Sequence, residues 1–166
     1  VPHMEMGYPL VANRPVVLHV DTTFKDAKGQ PLEEGFSRRW QVGPPLITRV
    51  DPALWQLTRP ATGSTSGLLI SFDRPLDRAL ADRCLHVRDA EGRPIPGEAH
   101  LTAAERMWTF KPAHPWPAGA VLAIETRLED VCGNSVLRPF DHDLTSEADA
   151  PAGDAVEITL DAVGRG

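Results

Sequence analysis

Val17-Leu18-His19-Val20-Asp21-Thr22-Thr23-Phe24-Lys25-Asp26-Ala27-Lys28-Gly29 and Val121-Leu122-Ala123-Ile124-Glu125-Thr126-Arg127-Leu128-Glu129-Asp130-Val131-Cys132-Gly133 are one pattern written twice, 104 positions apart. Identities fall at Val17/Val121, Leu18/Leu122, Thr22/Thr126, Asp26/Asp130 and Gly29/Gly133. The match runs on without a gap to Phe36/Phe140 and to the conservative pair Trp40/Leu144. Tyr8-Pro9-Leu10 also resembles His114-Pro115-Trp116 after a two-residue shift. A repeat spaced by about 100 residues signals tandem β-sandwich modules more readily than a solenoid.

Each copy reads as a β-hairpin. Pro15-Val16-Val17-Leu18-His19-Val20 has strand composition, and 36–42 is its expected return. Between them, Asp26 bonds its own backbone and Gly29 supplies a positive φ, the chemistry of a type I turn with a bulge. Asp130-Val131-Cys132-Gly133 repeats that turn before an expected return over 136–144, and Asp89-Ala90-Glu91-Gly92 is a third. A calcium loop needs several oxygen ligands two residues apart, which none of these offers, so the acidic residues read as turn chemistry.

Outward from the second copy, the strands follow from alternation. Leu46-Ile47-Thr48-Arg49-Val50 is expected to open a domain. Leu68, Ile70 and Phe72 share one face of the next strand, Leu85 and Val87 of another, and Trp108 and Phe110 of a third. The segment from Ile95 to Leu101 reads as an edge strand, because Pro94 and Pro96 cannot donate to a ladder. Pro75 to Asp82 reads as a short helical turn or two. The expectation is an all-β, immunoglobulin-like β-sandwich over 44–145, with residues 1–43 as the C-terminal part of a preceding one. The acidic stretch 146–166 reads as a solvated linker, with Val156-Glu157-Ile158-Thr159-Leu160 as an edge strand.

Composition agrees with this. The chain has 166 residues, 42% hydrophobic and 6% aromatic, with 16 Pro and 13 Gly that disfavour long helices. The net charge of −6 argues against nucleic acid and anionic membranes as default partners. No apolar run approaches the ~20 residues of a helical membrane span. Val1 is no start methionine, so the chain reads as a fragment or processed form, with any export signal outside it.

The order of motifs carries a resemblance: Ile70-Ser71-Phe72-Asp73-Arg74-Pro75-Leu76-Asp77, Val87-Arg88-Asp89-Ala90-Glu91-Gly92, Trp108-Thr109-Phe110-Lys111-Pro112, His114-Pro115-Trp116 with Gly119, Leu128-Glu129-Asp130 with Gly133-Asn134, and Phe140. Residues 67–144 resemble the bacterial immunoglobulin-like domains of the S-layer-protein (SbsA) type, and 8–42 resemble the closing hairpin of that domain again. The resemblance implies tandem modules of exported periplasmic, cell-envelope or extracellular proteins, without catalysis, cofactor or metal of their own. Their partners would be neighbouring domains of the same polypeptide. It brings no site residues, and Cys84 and Cys132 stand where that family has apolar or small side chains.

Other candidates are weighed on their residues. Cys84 and Cys132 fall at one pole of such a sandwich, where a bridge closing a loop of about 50 residues would be worth ~3–4 kcal/mol. Alternation, however, turns Cys84 outward with His86, which favours two separate thiols. Trp55 and Trp116 lie near loops and prolines, where exposed indoles stack on sugars, although corner packing is the stronger reading. Trp40 and Trp108 are expected in cores. His3-Met4-Glu5-Met6 and Asp141-His142-Asp143 lack the convergent partners of a metal site. Gly63-Ser64-Thr65-Ser66-Gly67 has Thr at the centre and a strand after it, so it is a loop and no nucleophile elbow. The function expected is a structural spacer, with a glycan- or protein-binding module and an accessory domain of a secreted hydrolase as alternatives.

Overall fold

A computed structural model describes residues 9–102, 104–140 and 153–161. The fold is all-β with antiparallel sheets, and it divides into two compact units, Val1–Leu46 and Ile47–Gly166. Among the described residues no helix is long and apolar enough to cross a membrane.

The first unit is a hairpin. β1 (Pro15–Val20) pairs antiparallel with β2 (Phe36–Gln41), Pro15 facing Gln41 and Val20 facing Phe36. Between the strands, the Asp26 carboxylate accepts from the Lys28 and Gln30 N–H groups, and Gly29 takes φ +80°. The Leu32 N–H donates to the carbonyls of Thr22 and Phe24. Trp40, expected in a core, is 40% exposed, with the Arg38 guanidinium 5.2 Å over its ring.

The second unit is a β-sandwich. One sheet has the order β3 (Gln56–Thr58), β4 (Leu68–Ser71), β7 (Met107–Pro112), β6 (Gly97–Thr102). The other has the order β5 (Leu85–Arg88), β8 (Val121–Glu125), β9 (Ala155–Thr159). Both sheets feed one core, in which Leu68, Ile70 and Trp108 meet Leu122, Ile124, Leu128, Val136 and Leu160. The proline-flanked β6 lies at an edge, as its missing donors dictate. Its Gly97 is held against the Phe110 ring and the Lys111 carbonyl, leaving no room for a Cβ. The helix α1 (Arg78–Cys84) starts on an Asp77 side chain that accepts from the Leu80 N–H.

Two strand expectations are corrected. Residues 46–50 form no strand: the Thr48 carbonyl is taken by Arg74 and the Val50 N–H by the Ser135 carbonyl, so no ladder forms. The short β3, unread in the sequence, is the strand at that edge. No return strand begins at 136: the Val136 and Leu137 N–H groups bond back to Leu128 and Thr126, and Ser135 closes a turn onto Arg138. The return of the second hairpin is β9. Phe36 lies opposite Val20 whereas Val156 lies opposite Ile124, an offset of 120 in place of 104, so sixteen residues are inserted between turn and return. The edge strand read at 156–160 is thus β9, at the edge of its sheet beside β8. The remainder of the expected return, 141–144, lies outside the described residues, as do His3-Met4-Glu5-Met6, Asp141-His142-Asp143 and most of the acidic stretch.

Candidate functional site

The most organised polar cluster is at the Asp130 turn. One Asp130 carboxylate oxygen accepts from the Cys132 and Asn134 N–H groups, as Asp26 does in the first copy. The other accepts from the Asn134 side-chain amide (2.9 Å) and from the Arg74 guanidinium (3.3 Å). Arg74 also donates to Asp73 and to the Thr48 carbonyl and hydroxyl. Asp130 is 2% exposed and Arg74 8%. A buried guanidinium needs this set of acceptors to offset its desolvation. The backbone joins in: Leu76 bridges Asp130, the Asp77 N–H donates to the Glu129 carbonyl, and the Val131 N–H donates to the Pro75 carbonyl. With both Asp130 carboxylate oxygens and the Arg74 guanidinium bonded within the protein, the cluster clamps the turn to the sandwich. Sequence reading missed this pair; its signal was an arginine just past an apolar strand, with a turn aspartate far along the chain.

Both candidate binding aromatics are buried. Trp116 is 2% exposed, its indole N–H donates to the Ser66 carbonyl (2.7 Å), and its ring tilts on Phe110. Trp55 is 6% exposed and packs edge-on against Phe72 with ring centroids 4.7 Å apart. Its indole N–H finds no partner among the described residues. These indoles pack corners, and neither offers a face for stacking on a sugar. The loop 63–67 is part of the same corner, because the Gly63 N–H donates to the Trp116 carbonyl and the Trp116 N–H to the Ser64 carbonyl.

Cys84 and Cys132 are separate free thiols, Cys84 buried and Cys132 exposed in the turn. Cys84 is the last residue of α1 and not the first of a strand, so it points into the core instead of outward with His86. Burial pushes its thiol up from the ordinary value, which is the opposite of an activated nucleophile. His86 on β5 and its diagonal neighbour Glu125 on β8 meet at 2.8 Å, with Arg127 on the other carboxylate oxygen. Arg127, then His86, hold the Glu125 carboxyl below its usual value. This is a half-exposed ion-pair cluster on the outer face of a sheet, and no bond joins Cys84 to it. Among the described residues no three His, Cys, Asp or Glu side chains converge as metal ligands.

Comparison with known proteins finds no family model that matches the chain and no curated protein similar to it.

Proposed function

We propose that this chain is a non-catalytic structural module, a spacer built from tandem immunoglobulin-like units of the S-layer-protein type, in an exported bacterial envelope or surface protein. The observation that carries the reading is the repeat, whose loop hydrogen bonds recur at the same offset as its residues. Asp26 N–H to the Gln30 carbonyl matches Asp130 N–H to the Asn134 carbonyl. Leu32 N–H to the Phe24 carbonyl matches Val136 N–H to the Leu128 carbonyl, and Phe24 N–H to the Asp21 carbonyl matches Leu128 N–H to the Glu125 carbonyl. The bridge between Lys25 and Pro31 matches that between Glu129 and Ser135. Duplicated local structure in one chain supports a reading as tandem modules. The corner-packed tryptophans favour a spacer over a glycan-binding surface. Export and bacterial origin rest on the resemblance of 67–144 to the family.

The test is binding. The chain is titrated with glycan panels and cell-wall fractions while tryptophan fluorescence is followed. A spacer shows no saturable change; saturable binding to any sugar would move the assignment to a binding module.

A further inference from the structure

The two copies of the hairpin differ in what lies on them. In the second unit, the side chains that face the core are covered: Leu122, Leu128 and Val136 are 0% exposed and Leu160 is 2%. Their counterparts in the first unit are bare. Leu18 is 48% exposed, Phe24 63%, Leu32 37% and Trp40 40%. Trp40 is the counterpart of Leu160 because it faces Val16 on β1, while the Leu160 N–H donates to Ala120, the equivalent of Val16. Leu18, Val20 and Phe24 also line an open, mostly apolar hollow with His19, Asp21 and Thr23. The polar groups follow suit. The second Asp26 oxygen, the Lys25 carbonyl and the Ala27 N–H correspond to the groups that Arg74, Asp77 and Pro75 answer in the second unit. Among the described residues they have no partner. Among the described residues β1 likewise has β2 on one edge only, whereas β8 lies between β5 and β9.

We infer that the bare face of the β1–β2 hairpin is a docking surface for a polypeptide half-sandwich built like residues 47–112. That occupant adds a strand to the free edge of β1, lays apolar side chains on Leu18, Phe24, Leu32 and Trp40, and brings an arginine to Asp26. The internal copy specifies this chemistry, since residues 47–112 cover the equivalent face with Leu68, Ile70, Leu76 and Trp108 and clamp the equivalent aspartate with Arg74. The half-sandwich of a second copy does not serve, because its apolar face and its Arg74 are already committed to its own β8 and Asp130. An isolated two-stranded hairpin is marginal in water, so the occupant also determines whether this unit is stably folded. The inference needs neither export nor the spacer role, and glycan binding would leave it standing.

The test compares the full chain with a fusion that carries a second copy of residues 47–112 ahead of Val1, by hydrogen exchange read residue by residue. The extra length of the connection costs little, because loop closure depends only weakly on length. The β1 amides and the Leu32 amide should exchange at least about tenfold more slowly in the fusion, and Leu18→Asp should abolish that protection while leaving β8 unchanged. Free exchange throughout 15–41 in the fusion overturns the inference, whether or not the added segment is itself ordered. Protection of 15–41 in the unfused chain that rises with protein concentration also overturns it, because the occupant would then be a second copy.

Discussion

The loops at 21–32 and 125–136 share a turn aspartate, a left-handed glycine and the same backbone bonds, yet one stands in water and the other buries Leu128, Asp130 and Val136 against a core. The difference separates two contributions that are usually entangled. Local chemistry alone reproduces the turn, because an Asp side chain accepting two N–H groups and a glycine at positive φ need nothing from the rest of the fold. Local chemistry does not bury Leu18 or Phe24. Burial needs a second layer, and in the second unit that layer comes from β4, β7 and the segment through Arg74 and Leu76. Equivalent substitutions in the two copies therefore measure what the cover contributes.

The largest contrast is apolar. Leu128→Ala removes a fully buried side chain and should cost about 3 kcal/mol in urea unfolding of the second unit. Phe24→Ala, at the equivalent exposed site, should change stability by less than about 0.5 kcal/mol. Equal costs would break the comparison.

Next comes the turn aspartate. Asp130→Ala frees two backbone donors and deprives a buried guanidinium of one of its two carboxylates, for a loss of about 3 kcal/mol. Asp26→Ala loses only the local bonds, about 1 kcal/mol. A double substitution of Arg74 to Met with Asp130 to Asn should recover part of the larger loss, since no buried charge is then stranded.

Smaller again is the glycine. Gly29 and Gly133 sit at φ +80° and +83°, so alanine at either strains the backbone by about 1 kcal/mol. A Cβ at Gly29 meets nothing within 4 Å, whereas at Gly133 it meets the Phe140 ring at 2.8 Å. Gly133→Ala should therefore be the more costly by circular dichroism melts, and the excess should vanish in Phe140→Ala.

The smallest effect depends on pH. Glu125 and Asp21 are equivalent residues with carboxyls held below their usual values, the first by Arg127 and His86, the second by the Thr23 backbone N–H and hydroxyl. A carboxyl lowered in the folded state stabilises above its unfolded value, and that stability is lost as pH falls through the folded value. Near neutrality, Glu125→Gln should cost about 0.5 kcal/mol or less for so exposed a cluster, and the difference from the parent should disappear in acid. A difference that persists below the carboxylate range would show that packing, not charge, is at stake.

These contrasts also mark how far the sequence could be read. The hairpin turns were legible because their chemistry is local and doubled. The inward faces of β4, β5 and β7 were legible because alternation reports burial. The second return strand is not legible because Phe36 and Phe140 are identical at the offset of the turns, and nothing local announces a sixteen-residue insertion. Thr48 and Val50 look like a strand, but their backbone groups are spent on Arg74 and Ser135, which only tertiary structure reveals. Strand alternation places Cys84 outward, but the residue is the end of a helix and not the start of the strand. Trp40 looked like core because in a covered copy that position is core; the cover is what a repeat cannot state. Corner packing of Trp55 and Trp116 was the stronger reading of their proline-rich surroundings, and they do pack corners.

The central claim, that one motif occurs bare in one unit and covered in the other, is tested most directly by one matched pair of amides. Leu32 donates to Phe24 and Val136 donates to Leu128, the same bond at 3.2 and 2.9 Å. Native-state hydrogen exchange should show Val136 protected by on the order of a thousandfold more than Leu32, because Val136 opens only with the sandwich core and Leu32 with a marginal hairpin. Equal protection of the two amides in the 166-residue chain would contradict the account.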